Sequence, residues 1–131
     1  MITSYTAGEF RERFAYNERR RHLCDLLLEE LELIRSQCSI VRVLVFGSYI
    51  TDKEEPRDID LLLSLIAGKE CVYEVWTKGL RLNHPDEVDV HYYKTQLYIK
   101  DGEGLLAHFN ANPKNELYGI SIHVAAEITE F

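Results

Sequence analysis

A chain of 131 residues with 46% apolar and 28% charged side chains has the length of one ordinary domain and the balance of a soluble globular protein. Disorder and collagen-like repetition are excluded by that balance. Twenty-two acids against fifteen Lys and Arg leave a net charge of −7, which argues against an extensive nucleic-acid surface because phosphate would be repelled.

In chain order, Thr6-Ala-Gly-Glu9 has the spacing of a capping box and Phe10 and Phe14 follow at i, i+4, so a short helix is expected there. Arg11, Arg13, Arg19, Arg20 and Arg21 interleave with Glu9, Glu12 and Glu18 and read as a solvated helix face. Asn17 is a second cap, and Leu23, Leu27, Leu31, Ile34 and Cys38, joined by Leu26 and Leu33, make one apolar stripe. That pattern predicts an amphipathic helix over 17–38 whose stripe packs on the core. Ile40 to Phe46 is a largely buried strand ended by Gly47, and 48–57 is a short helix or turn followed by a loop. A second strand runs over 58–65. Val72, Val75, Trp76, Leu80 and Leu82 suggest a helix, and 87–93 is a third strand. Beyond it lie a loop with Gly102 and Gly104, an apolar turn or helix over Leu105 to Phe109, and a last strand within Leu117 to Val124. The tail 125–131 carries no legible motif. One domain is expected over 1–131, with a helical segment over 1–39, a core over 40–93 and a completing segment over 94–131.

The chemistry sits in Phe46-Gly-Ser48, Asp58-Ile-Asp60 and Val88-Asp-Val90. Period-two geometry puts Asp58 and Asp60 on one face of a strand while Ile59 and Leu61 turn into the core. Asp89 is flanked by apolar residues, unlike the competing Asp86 and Glu87, and completes a cluster of three carboxylates if its strand is a neighbour. Three acids so placed repel unless something positive lies between them, and a divalent cation with hard oxygen ligands, Mg²⁺ above all, suits them. Gly47 allows close backbone approach, and Ser48 adds a hydroxyl where a following helix N-terminus presents free N–H groups to phosphate. His91 falls on the strand face of Asp89 and reads as a hydrogen-bonded strand histidine; Lys53 and Arg57 read as ordinary surface charge, and Tyr92 and Tyr93 as core.

This arrangement of Gly47, Ser48, Asp58, Asp60 and Asp89 resembles the DNA polymerase β-like nucleotidyltransferase superfamily, and the small size is similar to its minimal nucleotidyltransferases. The stretch Gly47 to Asp60 looks closest to small bacterial nucleotidyltransferase-like proteins, and Leu117 to His123 is weakly like their last strand. The resemblance covers 40–93 firmly and the ends loosely. It implies an α+β fold, a small mixed sheet packed against helices and preceded by an N-terminal amphipathic helix. It further implies that Gly47 and Ser48 hold nucleotide phosphates and that Asp58, Asp60 and Asp89 are catalytic and bind metal. Asp89 would also serve as base toward the acceptor hydroxyl. The expected cofactor is Mg²⁺, two ions, with Mn²⁺ as the substitute; the expected substrate is a nucleoside triphosphate, ATP first.

Transfer of AMP or another NMP to a protein or RNA hydroxyl is thus the expected activity, with an antitoxin role toward a small helical toxin implied by the minimal members. The alternative is a degenerate nucleotidyltransferase fold acting as antitoxin or subunit by protein contacts alone, and a homo-oligomer is a further expectation. Where many relatives place Arg-Gly after Gly-Ser, this chain reads Tyr49-Ile-Thr-Asp52-Lys-Glu-Glu55. No apolar run reaches the roughly 18 residues that span a bilayer, the start lacks a signal-peptide pattern, and Cys24, Cys38 and Cys71 show no zinc spacing. A cytoplasmic protein with no membrane partner is therefore expected.

Overall fold

The computed structural model describes residues 1–66, 78–94 and 101–130. The helix expected through Val72, Val75 and Trp76 lies outside the described residues, as do Cys71 and Tyr98, but Leu80 and Leu82, assigned to the same helix, lie in irregular chain. The described chain runs β1 (Ile2–Thr6), α1 (Ala7–Phe14), α2 (Glu18–Gln37) and β2 (Ser39–Phe46). A 3-10 turn (Gly47–Ile50) follows, then β3 (Ile59–Ile66), β4 (Val88–Lys94), α3 (Gly102–Asn110), α4 (Pro113–Leu117) and β5 (Ala125–Glu130).

Local chemistry sets the helix starts. The Thr6 hydroxyl accepts from the Glu9 N–H while the Glu9 carboxylate accepts from the Thr6 N–H, so the capping box opens α1. The Asn17 side chain accepts from the Arg20 N–H and caps α2, whose stripe from Leu23 to Ile34 is buried.

The five strands form one mixed sheet in the order β1-β5-β2-β3-β4. β2 runs antiparallel to both β3 and β5, whereas β1–β5 and β3–β4 are parallel pairs. Both faces are covered. Ile59, Leu61, Leu63 and Leu65 of β3 pack with Val43 and Val45 against α1 and α2. Leu62 and Leu44 turn the other way, onto Leu105, Leu106 and Phe109 of α3 and onto Ile122. Covering on both faces explains why β2 and β3 read as continuous apolar runs.

Three expectations are corrected. The chain opens with a strand, β1, before the first helix. Gly102 and Gly104 lie in the first turn of α3, not in a loop: the Asp101 carboxylate accepts from the Gly104 N–H and caps that helix. The last strand is not within Leu117 to Val124. That segment ends α4 and continues as irregular chain with Leu117 80% and Tyr118 69% exposed. Apolar alternation there does not mark a strand, because among the described residues no partner strand covers it. The strand is Ala125–Glu130, in the interior of the sheet, with Ala125, Ala126, Glu127 and Ile128 all buried. Glu127 hides this pattern in the sequence, and the Arg42 guanidinium donates to its carboxylate at 2.7 Å.

Among the described residues no helix is long and apolar enough to cross a membrane. Cys24 and Cys38 are buried and, among the described residues, form no disulfide.

Candidate functional site

One end of the sheet gathers the end of β2 and the beginnings of β3 and β4. Phe46 pairs with Asp60 across the antiparallel ladder, and Asp60 pairs with Asp89 across the parallel one. The two aspartates are therefore lateral neighbours on one face. Asp58 stands one residue before β3, where the backbone N–H of Ile59 donates to Glu87 at 2.8 Å and joins the two chains.

Gly47 closes the other side. Its φ of 77° lies in the left-handed region, and a Cβ there would collide with the Asp60 carboxylate. A glycine is required on both counts, so the turn can pass directly over Asp60. Ser48 follows in the 3-10 turn and lines an open cleft shared with Asp58.

Charge is crowded here. The Asp60 carboxyl is pushed up to about 7, first by burial, then by the negative charges of Asp58 and Asp89 and by hydrogen bonding to the Asp89 carboxyl. Perturbation by burial and by like charges at the mouth of a cleft is a common mark of functional carboxylates. His91 Nε2 lies 3.5 Å from Asp89 Oδ2, and its ring packs 5.9 Å from Phe46 and 5.5 Å from Phe109.

All five residues singled out in the sequence thus lie at one end of the sheet. As donors, Asp58, Asp60 and Asp89 are the hard oxygens that Mg²⁺ takes, and a nearby cation would relieve the repulsion on Asp60. Their side chains do not converge on one point: among the described residues no group of three His, Cys, Asp or Glu is gathered to hold a metal ion.

The site's supports come from α2, and here the solvated-face expectation needs correcting. Arg20 is fully buried and makes five hydrogen bonds to backbone carbonyls. Its guanidinium donates to Phe14, Tyr49, Thr51 and Lys53 oxygens at 2.6–3.1 Å. Tyr49 returns the tie, donating its hydroxyl to the Arg20 carbonyl at 2.8 Å, and its ring stacks 5.9 Å from Phe10. The turn after Gly47 is in this way bolted to α2. Farther along the helix, the buried Glu30 carboxylate accepts from the Asn83 N–H, and Gln37 exchanges two hydrogen bonds with the Arg81 backbone. One helix therefore holds both the turn beside Asp60 and the segment leading to Asp89.

These supports have a sequence signal. Residues 20, 24, 27, 31 and 34 follow i+4, i+3 spacing, and so do 23, 27, 30, 34 and 37. Arg20, Glu30 and Gln37 occupy core phases of the stripe, where a polar side chain must have buried partners.

Comparison with the curated proteins and with the solved structures found no significant match. The family comparison does match, over residues 1–126, and on that span the chain belongs to DUF6932, a family of unknown function.

Proposed function

We propose that the protein is a Mg²⁺-dependent nucleotidyltransferase of the polymerase β-like type, moving an NMP, AMP from ATP first, onto a hydroxyl of a protein or RNA. The observation that carries this reading is the in-register pair Asp60–Asp89 beneath the left-handed Gly47, with the Asp60 carboxyl raised to about 7. Asp58, Asp60 and Asp89, whose side chains do not converge on one point, would have to draw together to hold Mg²⁺, and the ion would supply charge neutralisation at the phosphate oxygens. The chain's own contributions are positional. Gly47 lets the backbone approach a phosphate, Ser48 offers it a hydroxyl, and Asp89, exposed at the edge of the cluster, accepts the proton of the acceptor hydroxyl.

The test is thermal unfolding with ATP and the other nucleoside triphosphates in turn, with and without Mg²⁺, on wild type and Asp60→Asn, each read against its own ligand-free baseline. Ligand at a hundredfold excess over its dissociation constant stabilises by about 2.7 kcal/mol, a rise in Tm of roughly 10 °C for a domain of this size. A Mg²⁺-dependent rise in wild type that is absent in Asp60→Asn supports the reading. The absence of any rise with every nucleoside triphosphate sinks it.

A second reading, a protein-binding module that acts as antitoxin or subunit without catalysis, is favoured by a different observation. Leu117, Tyr118, Ile120 and Val124 are 80%, 69%, 40% and 58% exposed in one short segment, an apolar strip on an acidic protein. Such a surface suits a small, basic helical partner. Co-expression with the product of an adjacent gene of that kind separates the readings. Binding that survives Asp58→Asn with Asp60→Asn but is lost in Leu117→Ser with Tyr118→Ser is the outcome expected of the module.

A further inference from the structure

Beside the carboxylates lies a cleft of about 440 Å³ whose walls carry three cations, Arg19, Lys53 and Arg57, together with Ser48 and the acids Asp58, Asp86 and Glu87. We propose that this cleft is a polyphosphate subsite, in which Arg19, Lys53 and Arg57 grip the phosphate chain of a nucleotide whose metal-bound end faces Asp58. The proposal rests on the nucleotidyltransferase reading and supplies the phosphate grip that the segment after Gly47-Ser48 lacks as a sequence pattern.

Three features carry it. The cations are pre-placed. Arg19 donates through Nε to the Pro56 carbonyl at 3.0 Å and through Nη2 to the Arg57 carbonyl at 2.5 Å. Asn17 ties the Glu54 carbonyl at 2.7 Å and Arg20 ties the Lys53 carbonyl, so the backbone of the loop presenting Lys53 and Arg57 is held to α2 and its cap at the carbonyls of Lys53, Glu54, Pro56 and Arg57. Little loop ordering is then left for a ligand to cause.

The charges are also kept apart. Among the described residues none of these cations forms an ion pair, although three carboxylates line the same cleft. Walls with separated charge and no net charge favour a ligand that itself carries both signs, a phosphate chain with its divalent ion, over a simple anion. Asp58 is the joint between cleft and carboxylate pair, which sets the direction of the chain. The interleaved Arg and Glu of α2 conceal this in the sequence, because Arg19 meets Lys53 and Arg57 only once the loop folds back.

The experiment is titration calorimetry of inorganic triphosphate and of ATP, both with Mg²⁺, against wild type, Lys53→Gln, Arg57→Gln and Asp60→Asn. Lys53 and Arg57 are exposed, and these two variants keep the fold. Each should weaken both ligands about 5- to 10-fold, the loss of one charge-assisted contact. ATP that binds wild type, depends on Asp60 and is indifferent to Lys53→Gln and Arg57→Gln overturns the subsite and leaves the enzyme reading standing. Triphosphate weakened by both substitutions, with ATP binding independent of Mg²⁺ and of Asp60, establishes the subsite and removes the nucleotidyltransferase reading. Wild type that binds neither ligand overturns both.

Discussion

Arg20 and Asp60 are both ionisable groups drawn into the protein, on opposite faces of the sheet, and they are treated in opposite ways. Arg20, on the α2 face, is fully buried and saturated by five hydrogen bonds to four backbone carbonyls. Asp60, on the α3 face, is half-buried and crowded by two further carboxylates, and its burial first, then their charge, holds its proton on. A buried charge with every donor satisfied is a structural fastening, and its removal is felt as instability. A charge surrounded by its own sign costs stability as it stands, and such an arrangement persists where a cationic ligand benefits from it. The α2 face is scaffold; the α3 face at the β2–β4 end is where chemistry is expected.

The sharpest way to break that contrast is Arg20→Ala, which strands the carbonyls of Phe14, Tyr49, Thr51 and Lys53. A loss of about 3–5 kcal/mol in urea unfolding is expected, against a change within about 0.5 kcal/mol for the exposed neighbour variant Arg21→Ala. Next is Leu61→Ala, a cavity under α2 and fully inside the larger core. It should cost about 2–5 kcal/mol and leave any Mg²⁺ and nucleotide affinity of the folded protein unchanged.

Gly47→Ala imposes a left-handed φ on a residue with a Cβ and drives that carbon into the Asp60 carboxylate. We expect a loss of about 2 kcal/mol together with loss of Mg²⁺-dependent ligand binding, since the substitution displaces a site group. Smallest, and opposite in sign, is Asp60→Asn. The folded-state pKa of about 7 lies above the ordinary 3.8, so protonated Asp60 favours folding. That contribution is complete below the ordinary value and is lost as pH rises through about 7. The uncharged variant should therefore gain on wild type by about 1–2 kcal/mol at alkaline pH, once screening of a half-exposed group is allowed for. In acid the two should match, and thermal unfolding in chelator across pH reads the difference.

Most of the interior was legible because its signals are local. The Thr6 and Asn17 caps, the Leu23–Ile34 stripe and the two apolar strands each depend on neighbours in sequence, and the structure places their boundaries within a residue or so of expectation. The gathering of Gly47, Asp58, Asp60 and Asp89 followed from alternation plus one assumption, that β3 and β4 are neighbours. What stayed hidden depends on partners far along the chain. β5 is disguised by Glu127, which is at home in a sheet interior only because Arg42 of β2 lies beside it. β1 is short and half polar, and only β5 makes it a strand. Arg20 looked like one of five surface arginines because its acceptors lie on a loop some 30 residues on.

The placing of β5 between β1 and β2 also governs how the protein can be made. Ile2 pairs with Ala125 and Thr3 with Ala126, contacts that span almost the whole chain. Helices and the β2–β3 hairpin can form early during synthesis, but the sheet cannot close until the last strand has emerged from the ribosome. Until then β1 has no partner and one side of β2 presents unpaired backbone groups. A nascent or truncated chain ending near residue 124 would hold two open strand edges at once, and its hazard would be pairing with another molecule.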